Sequence, residues 1–317
     1  LNLTEFYRFV IEEGISRDPR GAERVKLEIK RKKEEFEKLD EAKRREFDQE
    51  TLRNPYSDTR ILNDTKKEIR NILVGIDMET PELLLADRLR SLGKEIDLAL
   101  AHHPEGRAYA NFYEVMGMQA DILNKYGVPI NIAEDLLEKR IKEVSRKVMP
   151  VNHFRAVDAA GLLDISFICV HTPADNFVTT YLQGLMDEKK PELVGDALGL
   201  LKEIPEYKEA TTRGSGPKVI AGSEKRRSGK IFVDMTGGTE GSEEALEKLS
   251  LSGVGTIVGM HMSEKHYENA EKFHINVVIA GHMASDTLGL NFLLDRAIEK
   301  FGPLNVISCS GFYRVHR

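Results

Sequence analysis

From residue 69 onward the apolar positions of the chain alternate between short continuous runs and stretches of helical spacing. Asn71-Ile-Leu-Val-Gly-Ile-Asp77 reads as a strand, Pro81 to Ser91 as a helix stopped by Gly93, and Ile96 to Ala101 as a second strand. This is a βαβ unit. Residues 107–150 are mostly of helical pattern, with Asp135 to Lys147 charged and amphipathic. Ile165 to Val170 is the next strand, and a helix is expected from Phe177, followed by another over Glu192 to Ile204. The polar stretch Glu209 to Lys230 reads as a loop with a short strand at Val219; it carries Arg213-Gly-Ser-Gly-Pro-Lys218 and Glu224-Lys-Arg-Arg-Ser-Gly229.

The rest repeats a strand-helix rhythm. Strands are expected at 231–234, 256–258, 275–280 and 305–308, with helices at 242–250, 264–273 and 286–301 between them. Ser285 reads as the cap of the last helix, and Gly302-Pro303 ends it. Such a rhythm predicts an α/β fold, its mainly parallel sheet covered by helices on both faces.

The first 66 residues have a different texture. Glu23 to Glu46 is helical in pattern, with Glu28/Lys32, Glu34/Lys38 and Glu41/Arg45 at i,i+4 spacing. Between Arg17 and Glu46 there are 12 basic and 9 acidic residues, a mixed-sign surface rather than a nucleic-acid arm. The segment reads as a helical extension that packs on its own core or on a neighbouring subunit.

A chain of 317 residues with 41 % apolar content can bury a substantial core in one large domain or two modest ones. The net charge of −6 gives no general attraction to a polyanion, so nucleic-acid binding would need a local patch. Cys169 and Cys309 lie in apolar runs and form no C-x-x-C pair, which fits buried thiols in a reducing compartment and excludes a thiolate zinc knuckle. No basic segment followed by an apolar one opens the sequence, and no run of 18 apolar residues occurs, so a cytoplasmic location without membrane contact is expected.

Four of the expected strands run into histidine: at His102-His103, His171, His261 and His282. The carboxyl ends of parallel strands form one rim, where ligands bind, so five of the nine histidines could converge. The commoner catalytic signatures are missing: there is no Walker A loop, no G-x-G-x-x-G after a strand, no G-x-S-x-G and no H-E-x-x-H. The turns at Gly214-Ser-Gly216 and Thr236-Gly-Gly238 read as turns first, with exposed N–H groups that could hold an anion.

On an extended backbone His102 and His103 would point to opposite sides unless Pro104 breaks the strand. Asp175 could simply cap the helix after His171, and Asp286 suits the first turn of its helix. His266 sits in a helical stretch and is expected on its surface, and His153, His274 and His316 are background. What remains is three imidazoles, His102, His103 and His282, and two carboxylates, Asp175 and Asp286. Imidazole with carboxylate suits zinc, iron, manganese or nickel. Two ions about 3.5–4 Å apart need a carboxylate between them, and five ligands fit two metals better than one.

These stretches resemble a known family. Ala101-His102-His103-Pro104, then His171-Thr-Pro-Ala-Asp175, then Gly281-His282-Met-Ala-Ser-Asp286 follow in order and strand context the pattern of the Nif-three-like proteins (NGG-one interacting factor three). That family is also known as dinuclear metal centre proteins or homologues of GTP cyclohydrolase 1 type 2. The Val233-Asp-Met-Thr-Gly-Gly238 turn is similar as well, and the likeness spans 68–317.

The resemblance implies a two-lobed α/β protein with a dinuclear site between lobes, in a homo-oligomer that is usually a hexamer. On that basis the first lobe would comprise 67–190 and 275–317 with a helical insertion at 107–150, the second lobe 191–274, and residues 1–66 would form the extension. His102, His103, Asp175, His282 and Asp286 would hold two divalent ions (Zn, Fe, Mn or Ni), with the two aspartates as bridges. Asp286 replaces the family's usual Glu and is one methylene shorter, so its helix must approach more closely or that bridge weakens. His261 stands where an acidic residue is more usual.

Activity within the family is poorly defined. The expected reading is metal-dependent hydrolysis of a nucleotide or phosphate-type substrate with His171 or His261 as proton acceptor. The alternatives are a non-catalytic regulatory or metal-delivery protein, and an assembly module with a structural metal.

Overall fold

A computed structural model describes all 317 residues. The chain begins with α1 (Leu3–Ser16), α2 (Ala22–Lys38) and α3 (Glu41–Glu46). Asn2 caps α1 by accepting from the Glu5 N–H, and the Glu5 side chain returns the bond to the Asn2 N–H. Leu3, Phe6, Phe9 and Val10 of α1 are buried in the same core as Ile72, Val74, Leu290 and Leu294. The N-terminal segment is therefore no mere extension: its first helix is core, each phenylalanine contributing about 1.5–3 kcal/mol by burial. Its polar helix α2 buries only Val25 and stays solvated.

The first lobe follows with β1 (Arg60–Asn63), β2 (Asn71–Gly75), α4 (Thr80–Ser91) and β3 (Leu98–Ala101), then α5 (Gly106–Ala110), α6 (Met118–Lys125), α7 (Ile130–Val148), α8 (Arg155–Leu162) and β4 (Ser166–Cys169). A long helix α9 (Thr172–Lys189) leads to α10 (Val194–Lys202), α11 (Pro205–Thr212), β5 (Lys218–Ala221), β6 (Lys230–Asp234), α12 (Ala245–Leu251), β7 (Val254–Gly259), α13 (Glu264–Lys272) and β8 (Asn276–Ile279). The chain closes with α14 (His282–Phe301) and β9 (Asn305–Ser308).

Two mixed sheets result, each flanked by helices. One has the order β1-β4-β3-β2-β9 and the other β5-β8-β7-β6. All neighbours are parallel except the two edge strands, β1 on β4 and β5 on β8. The expected division placed 275–317 in the first lobe. The pairing corrects this: β8 is an inner strand of the second sheet, and only β9 returns to the first. β1, from the supposed extension, is an edge of the first sheet. The helical insertion packs on the second sheet, where Ile122, Leu123 and Leu137 share a core with Phe232, Ile257 and Val277.

Helices α9 and α14 form the central layer. Ala174, Phe177, Leu290 and Leu294 face the first sheet, while Val178, Leu182 and Leu288 face the second. Both helices are apolar on two sides because both sides are covered. They also begin earlier than expected. α9 starts at Thr172 with His171 as its N-cap residue, and α14 starts at His282 with Gly281 before it. Ser285 is thus inside the last helix, its hydroxyl donating to the Gly281 carbonyl at 2.7 Å.

Candidate metal centre

The first sheet delivers the two adjacent histidines at the end of β3. The His102 N–H donates to the carbonyls of Gly75 (3.0 Å) and Ile76 (3.1 Å), and the His103 N–H also donates to Ile76 (2.9 Å). Two successive amides turning onto one carbonyl end the extended backbone, so the rings do not point to opposite sides. They lie 5.4 Å apart, centroid to centroid.

His102 is buried, and its Nδ1 lies 3.0 Å from the Val170 carbonyl. A carbonyl only accepts, so Nδ1 carries the proton and Nε2 offers its lone pair inward. That Nε2 is 3.3 Å from Asp175 Oδ1 and 3.4 Å from Asp286 Oδ1. His103 holds Asp77 through Nδ1 at 2.7 Å and turns Nε2 to within 3.5 Å of Asp286 Oδ2. His282 Nε2 approaches the same oxygen at 3.6 Å. The five residues singled out in the sequence therefore meet, and Asp286 faces both halves of the cluster. Asp175 was expected to share that role. Its Oδ1 faces His102, whereas its Oδ2 looks toward His171 Nδ1 at 3.7 Å.

Why Asp suffices at 286 is visible one turn further along. Gly289 of α14 rests on the first turn of α9, and a Cβ there would lie 2.5 Å from the Ala174 carbonyl oxygen. Only glycine permits that approach, which carries Asp286 close to the neighbour of Ala174, the side chain of Asp175.

The electrostatics are those of a site short of positive charge. His102 Nε2, Asp175 Oδ1 and both carboxylate oxygens of Asp286 are buried without any hydrogen-bond partner. Orphaned buried polar atoms are costly, and four around one point form a place suited to a cation. Burial opposes ionisation of Asp286, but the surrounding His102, His103 and His282 hold it well below the usual carboxylate range. Burial likewise opposes charge on the histidines. Asp286 and Asp175 nevertheless raise His102, and Asp286 and Asp77 push His103 up to about 9. His282, depressed by burial and by its imidazole neighbours, stays neutral more readily. The sets His102/Asp175/Asp286 and His103/His282/Asp286 each bring three ligand atoms within 4.8 Å of one another, an arrangement suited to one or two divalent ions.

His171 adjoins this cluster, its ring 4.8 Å from that of His102. Its Nδ1 lies 2.8 Å from Asp58 Oδ2, an oxygen that also accepts from the Thr172 hydroxyl at 2.6 Å. Asp58 gave no signal in the sequence, since it lies in an irregular stretch of the N-terminal segment. Asp77 did have one: it follows β2 on the same rim as His102.

The second lobe supplies the opposite wall of a cleft containing about 680 Å³ of unfilled space, open solvent included. Asp234, Glu240, His261 and His266 line it, and no lysine or arginine does. His261 is half exposed, 4.8 Å from the His282 ring, and lies outside the buried cluster. Its Nδ1 is 3.6 Å from Glu240 Oε1, while Glu240 Oε2 is 3.6 Å from His266 Nδ1. Burial raises Glu240, but His261, His266 and the Ser263 N–H outweigh it and bring Glu240 to about 2. His266, expected on a helix surface, is buried, and the Ser263 hydroxyl bonds its Nδ1 at 2.8 Å.

The Thr236-Gly-Gly238 turn has a packing role. Gly237 has φ 91°, and a Cβ there would meet Gln119 Cγ at 2.8 Å. Gln119 in turn donates to the Gly237 carbonyl at 2.7 Å, fastening the helical insertion to the cleft wall.

Fold and site together define a two-lobed α/β protein with a histidine-aspartate cluster at the amino ends of its two central helices. Among solved structures the chain is similar to a NIF3 superfamily protein from Sphaerobacter thermophilus, with 28 % identity over 81 % of this chain and 92 % of that one and a TM-score of 0.71. The protein thus has the Nif3-like superfamily fold. Reduced HcgD from Methanocaldococcus jannaschii matches 79 % of this chain and 87 % of its own at 15 % identity and TM-score 0.45. TTHA1606 from Thermus thermophilus matches 77 % and 84 % at 18 % identity and TM-score 0.41. These last two are too distant to bear on the site. No family model matches the chain, and no curated protein does. No helix is long and apolar enough to cross a membrane.

Proposed function

We propose that the cluster holds two divalent transition metals and that the protein hydrolyses a nucleotide or phosphate-type substrate in the cleft. The observation carrying this reading is the group of four buried, unpartnered atoms on His102, Asp175 and Asp286. His102, Asp175 and Asp286 would hold one ion; His103, His282 and Asp286 would hold the other, with Asp286 as the bridge. Bound there, such ions supply Lewis-acid polarisation of a phosphoryl or carbonyl oxygen and lower the pKa of water toward ~7.

The remaining work falls to the protein. Val170 and Asp77 fix the His102 and His103 rings through their Nδ1 atoms, leaving each Nε2 free for a ligand. Asp58 does the same for His171, whose Nε2 is then the nitrogen able to take a proton inside the cleft. His261, backed by Glu240, is the proton acceptor on the opposite wall. The reading includes a homo-oligomer, with the hexamer of the resembling family as the expected state.

One observation favours a second reading, metal delivery or regulation without turnover: the cleft presents no lysine or arginine to a phosphate. Elemental analysis of protein loaded in turn with zinc, iron, manganese and nickel, followed by a hydrolysis screen on nucleotides, separates the two. Two equivalents of metal with turnover support the hydrolase. Two exchangeable equivalents without hydrolysis support delivery. Retention of both equivalents by His102→Ala and Asp175→Ala would show the ligand assignment to be wrong.

A further inference from the structure

The strand β6 ends at Asp234 in the metal cleft and begins at Lys230 in a separate groove at the other end of the second sheet. That groove has about 1420 Å³ of unfilled space, open to solvent, and its charged lining is Lys125, Asp187, Lys190, Glu192, Arg227 and Lys230. None of its four cations lies within 4.0 Å of a carboxylate. Two of them are instead fixed by backbone carbonyls: Lys125 Nζ donates to Pro19 at 2.9 Å, and Lys230 Nζ to Tyr126 at 2.9 Å.

The loop carrying Lys225-Arg226-Arg227 is equally fixed. Gly195 N–H donates to Glu224 O (2.9 Å), Val194 N–H to Arg226 O (2.9 Å) and Ser228 N–H to Glu192 O (2.8 Å). The Ser228 hydroxyl adds a bond to Pro191 O. Below, Gln183 ties the floor together, accepting from the Tyr126 hydroxyl (2.7 Å) and from Val233 N–H (2.9 Å). Lys125 and Lys230 are thus anchored, the backbone carrying Arg227 is fixed, and four cations face two carboxylates, Asp187 and Glu192, in a concavity that concentrates the net field.

We propose that this groove is a binding site for a compact oligophosphate anion. Ammonium and guanidinium donors are the chemistry that recognises phosphate oxygens, and pre-positioned side chains lower the ordering cost of binding. With Asp187 and Glu192 subtracted, the lining carries a net +2, while the whole chain carries −6. A short anion confined to the groove meets this net positive charge, whereas an extended polyanion also meets the net negative charge of the whole chain. The site is independent of the metal cluster and of its proposed chemistry.

The test is titration calorimetry of inorganic tripolyphosphate into the full chain after chelator dialysis, at low salt. Wild type should bind, the double variant Arg227→Ala/Lys230→Ala should weaken binding by about tenfold or more, and His102→Ala should leave it unchanged. Arg227→Glu, on an exposed side chain, is a second probe if the double variant fails to fold, and Asp175→Asn stands in for His102→Ala on the same ground. No binding by wild type, undiminished binding by the groove variants, or loss of binding in the cluster variants would overturn the proposal. So would tighter binding of a single-stranded oligonucleotide of about 12 residues, which reassigns the groove to a nucleic-acid backbone.

Discussion

The two walls of the cleft are built from the same residue types to opposite effect. On the wall formed by β3, α9 and α14, four polar atoms are buried without partners and one carboxylate faces three imidazoles. On the wall formed by β6, β7 and α13, Glu240 is already occupied by the Ser263 N–H at 2.6 Å and by flanking imidazoles, and His261 faces solvent. Histidine and carboxylate at strand ends are therefore not enough to mark a ligand site. What separates the walls is how far the groups satisfy one another: the second leaves His266 Nε2 alone unpartnered, the first leaves four atoms around one point.

The sharpest way to break this contrast is to remove one carboxylate from each wall. Asp286→Ala should abolish binding of both metal equivalents, whereas Glu240→Ala should retain two; metal content by elemental analysis decides, and equal losses would erase the distinction. Next comes the helix contact beneath the first wall. Gly289→Ala forces α14 away from the Ala174 carbonyl, at a cost of ~3 kcal/mol in denaturant unfolding, and should weaken metal binding although it removes no ligand.

A third test uses pH. His103 has its pKa raised to about 9 in the metal-free protein, against 6.5 ordinarily. Its contribution is fully present below pH ~6.5 and is lost as the pH rises through about 9, so the melting temperature of chelated protein should fall over that window. Zinc binding needs neutral imidazole, so the stabilisation gained from added zinc should grow over the same window. Parallel curves for the two forms would contradict the pairing of His103 with Asp286 and Asp77.

A smaller effect is expected where the walls are joined. The Thr236 hydroxyl donates to Asn176 Oδ1 at 2.7 Å, and Asn176 Nδ2 donates to the Gly14 carbonyl at 3.1 Å. Thr236→Val leaves the buried Asn176 oxygen unpaired and should cost ~1–3 kcal/mol in the same unfolding assay. Smallest of all on the fold, His261→Ala should keep both metals and the stability while lowering any turnover the loaded protein has.

Much of this was legible in the chain. Strand 305–308 and the βαβ unit were readable from apolar runs and punctuation, because buried parallel strands demand uninterrupted apolar residues. The three clustering histidines were readable because each lies at the end of such a run, and the two aspartates because each stands four residues past a strand-end histidine. Three things were not. α1 looked like part of a charged extension, since its few core residues are diluted by the polar α2 behind it. β8 looked like part of the first lobe, since local pattern carries no information about which sheet a strand joins. Helices α9 and α14 begin earlier than their apolar spacing suggests, because the first turn of α9 holds Thr172 and Asp175, polar residues that a surface helix would not bury, and α14 opens on the half-buried His282.

By itself the sequence determined the class of fold and the kind of ligand atoms on offer, because periodicity sets which elements form and residue type sets which atoms can bind a cation. Only the tertiary structure decided which of two similar walls carries the unpartnered cluster, that Asp286 faces both halves of it, and that Asp58, Asp77 and Glu240 contact the histidines of the two walls. The reason is that these depend on distances between residues far apart in the chain. Such distances are fixed by packing, here by one glycine letting two central helices touch.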